Sequence, residues 1–273
     1  MLEASPGRVV VEVTLDDLRS DDVRFLEQAA SRGPLHVRVP NDQLVAEVSG
    51  APPAFPEAER LFLARAVRWV RSAELVDRPA WEAMDELGAG EVRLILRAEP
   101  DARLRHAAQE ARVPYEVIGR AELAGFAVPR CEPPAPGAPR VVVTGCFDWL
   151  HSGHIRFFMD AAAYGALYVV VGSDHNVALL KGAGHPLQPE AERRYMVGAM
   201  DSVHCCVVSS GSGWMDAEPE IGWIQPTHYV VNEDGDQPEK RAFCEQRGIA
   251  YVILQRVPHA GLPARSSTEL RGF

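Results

Sequence analysis

Residues 8–50 laid over residues 140–182 without a gap are identical at 19 of 43 positions. A chain that contains itself twice is held to two copies of one architecture, so any fold proposed for one half must suit the other. Arg8-Val9-Val10-Val11 falls on Arg140-Val141-Val142-Val143, Gly33 on Gly165, Asp42 on Asp174 and Gly50 on Gly182. After one inserted residue, Pro56-Glu57-Ala58-Glu59-Arg60 matches Pro189-Glu190-Ala191-Glu192-Arg193, and Tyr115-Glu116-Val117-Ile118 parallels Tyr251-Val252-Ile253-Leu254. The repeat unit exceeds 100 residues, which makes it a duplicated domain and not a solenoid repeat. Two domains are expected, at 1–128 and 140–273, joined by the proline-rich segment 129–139 acting as a stiff linker.

In the second copy, β-branched runs at 140–144, 167–172, 203–208, 228–231 and 249–254 read as strands. The stretches 155–164, 190–200, 238–247 and 266–271 have helical length. Alternating strands and helices predict an α/β fold, a doubly wound, Rossmann-like parallel sheet in each copy. Such sheets bind ligands outside the carboxyl ends of their strands.

Composition narrows the partners. The net charge is −10 and no basic patch stands out, which argues against nucleic acid. No run of about 18 apolar residues suggests a membrane span, and the N-terminus is acidic where a signal peptide needs a basic start, so a cytoplasmic location is expected. The five cysteines (131, 146, 205, 206 and 244) lack metal-site spacing; all are expected as reduced thiols, with Cys205 and Cys206 in the core.

Where the first strand of the second copy feeds its first helix, the chain reads Thr144-Gly145-Cys146-Phe147-Asp148-Trp149-Leu150-His151-Ser152-Gly153-His154. A helix N-terminus offers unpaired N–H groups to an anion, Gly153 allows close approach, and His151 and His154 add donors. Two histidines at this spacing serve equally as caps or core residues when taken alone.

The eleven residues together resemble the G-x-F-D-x-x-H-x-G-H motif of the cytidylyltransferase-like nucleotidyltransferases. Other landmarks resemble that superfamily in order: Ser173-Asp174 after the second strand, Lys181-Gly182 in a loop, Glu192-Arg193 on a helix, Asn232-Glu233-Asp234 after the fourth strand, and Arg265-Ser266-Ser267-Thr268 at a helix start. The arginine adjoins the serines here, where many members place it several residues earlier, so Arg256 is a second candidate for its role. The tandem arrangement is similar to that of ethanolamine-phosphate cytidylyltransferases.

The resemblance implies transfer of a nucleoside monophosphate from an NTP to a phosphorylated small molecule, a phospho-alcohol or sugar phosphate, with release of pyrophosphate. CMP is the favoured group and AMP the alternative; a non-catalytic nucleotide-binding scaffold is a further one. It implies catalytic roles for His154, His151 and Lys181, and nucleotide contacts from Gly145, Cys146, Phe147, Asp148, Gly153, Arg193, Asn232, Asp234, Arg265, Ser266, Ser267 and Thr268. Mg²⁺ would arrive with the NTP.

The first copy keeps the pattern and loses the chemistry. Arg19 stands opposite His151, Asp21 opposite Gly153, Asp22 opposite His154 and Ser49 opposite Lys181. It is expected to be catalytically silent, with the two copies packing as a pseudo-dimer. Asp148, Glu192 and Arg193 are kept in both copies, which gives them a structural share.

Overall fold

The computed structural model describes residues 7–87, 92–128, 131 and 135–266. Two compact units, Met1–Gly125 and Phe126–Phe273, divide the chain.

The first unit runs β1 (Arg8–Glu12), α1 (Ser20–Ala30), β2 (Leu35–Pro40), α2 (Asp42–Ser49), α3 (Glu57–Ala66), β3 (Val70–Val76), α4 (Met84–Leu87), β4 (Val92–Leu96), α5 (Ala102–Ala111) and β5 (Tyr115–Val117). Its five parallel strands lie in the order β3-β2-β1-β4-β5. The second unit runs β6 (Arg140–Gly145), α6 (Ser152–Ala162), β7 (Ala166–Val171), α7 (Asp174–Lys181), α8 (Glu190–Gly198), β8 (Cys205–Val208), α9 (Glu218–Ile224), β9 (His228–Asn232), α10 (Pro238–Gln246) and β10 (Ala250–Leu254). Its parallel sheet, β10-β9-β6-β7-β8, repeats the first order element for element.

The central strands explain the valine runs. Val9, Val10 and Val11 on β1, like Val141, Val142 and Val143 on β6, are all buried, because helices cover both faces of a parallel sheet and leave no polar side to alternate with. Beyond each central strand the chain turns through the same left-handed residue, Leu15 (φ 52°) in one unit and Phe147 (φ 49°) in the other. A non-glycine residue there is uncommon, and both side chains are buried, so packing holds the strained turn.

A buckle of buried polar groups ties that turn to the sheet, and it too occurs twice. Arg193 on α8 is fully buried and donates to the Gln188 carbonyl (2.9 Å), the Cys146 carbonyl (2.8 Å) and Asp174 Oδ1 (2.7 Å). Arg60 on α3 donates to the Phe55 carbonyl (3.0 Å), the Thr14 carbonyl (3.1 Å) and Asp42 Oδ1 (2.8 Å). Asp148 accepts from the Leu187 and Gln188 amides at 2.9 Å, as Asp16 accepts from those of Ala54 and Phe55. Each guanidinium is buried and makes three charge-assisted bonds within its own unit, so Arg193 shapes the turn that carries the motif.

Two expectations need correction. Lys181 closes helix α7 instead of sitting in a loop, and Gly182 (φ 87°) ends that helix. Cys131, within the segment expected as a linker, forms a disulfide with Cys205 on β8, so these two cysteines are not reduced thiols. Their separation of 74 residues left no spacing signal in the sequence. Cys146, Cys206 and Cys244 form no disulfide among the described residues, and Cys205 and Cys206 are buried as expected. The expected helix at 266–271 lies outside the described residues except for Ser266. No helix among the described residues is long and apolar enough to cross a membrane.

Candidate active site

The carboxyl end of β6 opens onto the N-terminus of α6, and His151 caps that helix, its Nδ1 accepting from the Gly153 amide at 3.1 Å. An accepting Nδ1 leaves the proton of the neutral ring on Nε2. Nε2 is buried and without a hydrogen-bond partner among the described residues, and His151 as a whole is 2% exposed. An orphaned buried donor is costly unless a ligand completes it.

His154 lies one turn further along, its ring stacked on that of His151 with centroids 3.9 Å apart. Phe147 presents its edge to His154 (5.4 Å) and to Phe158 (5.0 Å). Gly145 is required beneath it, because a Cβ at that position would come within 2.8 Å of the Phe147 ring. At Gly153 a Cβ would meet the His151 ring at 3.0 Å.

Both imidazoles are held neutral. Burial, then the charges of Arg256 and Arg265, pushes His151 down to about 4. His154 lies well below the usual histidine range through burial, then His151 and Arg256, with a lesser push from Lys181; the Trp149 backbone opposes only in part. The motif therefore presents the neutral Nε2–H donor of His151, with the cations Arg256, Arg265 and Lys181 close by.

A cleft of about 170 Å³ runs from this helix start past Thr144 to Asn232, Asp234 and Gly235 at the end of β9, with Lys240 and Arg256 on its walls. Arg256 pairs with Asp234 (2.7 Å) and donates to the Arg265 carbonyl (2.8 Å), linking the end of β9 to the C-terminal segment. Arg265 lines an adjoining recess of about 30 Å³ with Gly153, Arg156 and Arg256. The exposed side chain of Lys181 is close enough to act electrostatically on Cys146 and His154. Burial raises the Cys146 thiol, against the pull of Lys181 and Arg193.

The predicted residues thus divide. Gly145, Phe147, His151, Gly153, His154, Asn232, Asp234 and Arg265 line or shape the cleft and its recess, with Lys181 and Cys146 beside the histidines. Asp148 and Arg193 serve the scaffold. Ser266 is described, whereas Ser267 and Thr268 lie outside the described residues. Sequence reasoning missed Phe157, Gly235 and Lys240 in the cleft.

In the first unit the equivalent helix start is filled from within. Asp22, opposite His154, accepts from the Arg19 amide at 2.8 Å and pairs with Arg97. Arg19 pairs with Asp17.

Residues 142–214 match the cytidylyltransferase-like family model. A bifunctional protein HldE of Methylococcus capsulatus is 42% identical over 106 residues, 38% of this chain and 21% of that protein. An FAD synthase of Methanocella arvoryzae is 31% identical over 135 residues, 48% of this chain and 92% of that protein. The chain belongs to the cytidylyltransferase-like nucleotidyltransferase superfamily. It spans only 21% of the length of that HldE relative. A lipopolysaccharide core biosynthesis protein from Thermoplasma volcanium superposes with a TM-score of 0.38 at 23% identity, over 45% of this chain and 99% of that one.

Proposed function

We propose that the second unit transfers a nucleoside monophosphate from an NTP to a phosphorylated small molecule and releases pyrophosphate. The observation that carries this reading is the unsatisfied Nε2–H of His151, stacked on His154 at a helix start and facing a cleft edged by cations. Phosphate oxygens supply the acceptors that this donor lacks.

The acceptor phosphomonoester, with a second pKa of about 6, is largely dianionic at neutral pH and attacks the α-phosphorus in line without a general base. The P–O bond to the β-phosphate breaks as the new one forms, and pyrophosphate leaves with the electron pair. His151 and His154 donate to oxygens around the α-phosphate, and the triphosphate charge draws protons toward rings that are neutral in the empty site. Lys181, exposed at the end of α7, follows the α- and acceptor-phosphate oxygens as a point charge. The segment from Arg265 receives the β- and γ-phosphates.

Magnesium fits as a companion of the NTP. No group of three His, Cys, Asp or Glu side chains is arranged around a cation among the described residues, which suits an ion bound mainly through phosphates and water. Bound there, it would neutralise triphosphate charge.

Cytidylyl transfer to a phospho-alcohol or sugar phosphate and adenylyl transfer both suit this site. The relative named FAD synthase adds weight to ATP, since its product contains adenine. The first unit, with Asp22 and Arg97 where an anion would lie, is read as silent. A matrix of four NTPs against phosphorylated alcohols, sugar phosphates and FMN, followed by pyrophosphate release, tests the reading. No release above background with any pair, alongside no NTP binding, refutes it.

A further inference from the structure

The chain has two lysines against 26 arginines, and the proposed reaction uses only Lys181. The other, Lys240, is the third residue of α10. Residues 101–115 overlay 237–251 without a gap, bringing the N-cap Asp101 onto the N-cap Gln237 and Leu104 onto Lys240. The next inward position holds Ala108 in one helix and Cys244 in the other, both buried. Leu104 packs against the first unit's core beside Val92, Leu94 and Ala108. This helix position therefore faces inward, and the second unit has put an ammonium where the first packs a leucine.

Local contacts offset that exchange only in part. Lys240 Nζ donates to the Gly235 carbonyl at 3.0 Å, and its other two N–H groups have no acceptor among the described residues. Burial lowers its pKa despite nearby Asp236, Asp216 and Asp234. A cation in the first turn of a helix also opposes the helix dipole. Yet Lys240 lines the same cleft as His151, Gly153 and His154, alongside Asn232, Asp234 and Gly235. Its bond to the Gly235 carbonyl sets it at the β9 end of the cleft, whereas the two histidines stand at the α6 start.

Resting on the nucleotidyltransferase reading, we propose that Lys240 selects the nucleoside: its ammonium donates to a lone-pair acceptor on the base of an NTP whose phosphates lie at the start of α6. A hydrogen bond from a charged donor contributes about 1.5–3 kcal/mol, a factor of roughly ten to a hundred in affinity.

The test compares wild type, Lys240→Leu and Lys240→Arg for binding of ATP, CTP, GTP, UTP and inorganic tripolyphosphate, with Tm measured on each. In Lys240→Leu the favoured NTP is expected to bind at least tenfold more weakly and the preference among bases to narrow. Tripolyphosphate affinity should be unchanged and Tm equal or higher. Lys240→Arg should bind nucleotide between the two. Unchanged NTP affinity, or an equal loss for tripolyphosphate, overturns the assignment, as does a fall in Tm that would make Lys240 a structural cap. A wild type that binds tripolyphosphate but does not distinguish the bases overturns only the Lys240 proposal. One that binds none of the five overturns the enzymatic reading beneath it.

Discussion

The rings of His151 and His154 stack at 3.9 Å with 26° between their planes, and both are neutral in the empty site. Two imidazolium ions could not share that spacing in a buried setting without strong repulsion. An arriving anion would favour positive charge on the pair.

That coupling gives a pH signature. With the folded His151 at about 4 and the unfolded ring near its usual 6.5, the unfolded chain binds more protons between those values. Stability is therefore full above about pH 6.5 and declines as pH falls toward 4. The decline is of order 3 kcal/mol for His151, and His154 acts in the same direction. Denaturant unfolding of wild type and His151→Gln between pH 4 and 7 should show a shallower slope in the variant. Identical slopes would mean that the ring is not held neutral by the fold.

His154→Ala should lower turnover by about 10² or more, the usual cost of losing a donor to developing charge, with the far-UV spectrum unchanged. Turnover close to wild type would remove His154 from the chemistry.

Lys181 separates charge from fold. Its side chain is exposed and makes no hydrogen bond or ion pair among the described residues, so Lys181→Ala should shift stability by less than about 0.5 kcal/mol. Lys181→Arg should also fail in steady-state assays, because a planar fork does not replace a mobile point charge. An active arginine variant would return Lys181 to ordinary surface charge.

Arg193 and Arg60 should respond alike. Each is fully buried with three hydrogen bonds, so Arg193→Met and Arg60→Met should each cost about 3 kcal/mol or more by leaving a carboxylate and two carbonyls short of a donor. Equilibrium unfolding checks this. A loss confined to turnover at Arg193, with stability intact, would make it a ligand-binding residue after all.

How much of this was legible depended on which physical signal each residue carried. The valine runs of β1 and β6 and the motif at α6 declare themselves locally, because a covered strand and an anion-binding helix start each need particular residues in sequence. Retention of Asp16 with Asp148, and of Arg60 with Arg193, pointed to a structural share, and the repeated buckle accounts for it. Helix α9 was hidden because Glu218–Ile224 carries proline and glycine and takes its shape from burying Ile221 and Ile224. The Cys131–Cys205 bridge and the inward setting of Lys240 depend on tertiary contacts and have no local pattern.

Restoring the lost residues in the first unit, with Arg19→His, Asp21→Gly and Asp22→His together, should not create a second active site. Asp22 caps α1 through the Arg19 amide and pairs with Arg97, so its removal costs the first unit about 1 kcal/mol of capping and leaves Arg97 short of its carboxylate. Ser49 still supplies no ammonium. The segment after Gly125 continues as Phe126-Ala127-Val128-Pro129 and lacks the Arg-Ser-Ser-Thr run found at 265–268. A site that works by converging several donors recovers little from one of them. The same reasoning sets the wild-type stoichiometry at one NTP per chain. Calorimetric titration with a non-hydrolysable analogue should give a value near one for both wild type and the triple variant. A value near two with similar affinities in the wild type would show that the first unit binds nucleotide, and the carboxylates at the start of α1 would then need a different explanation.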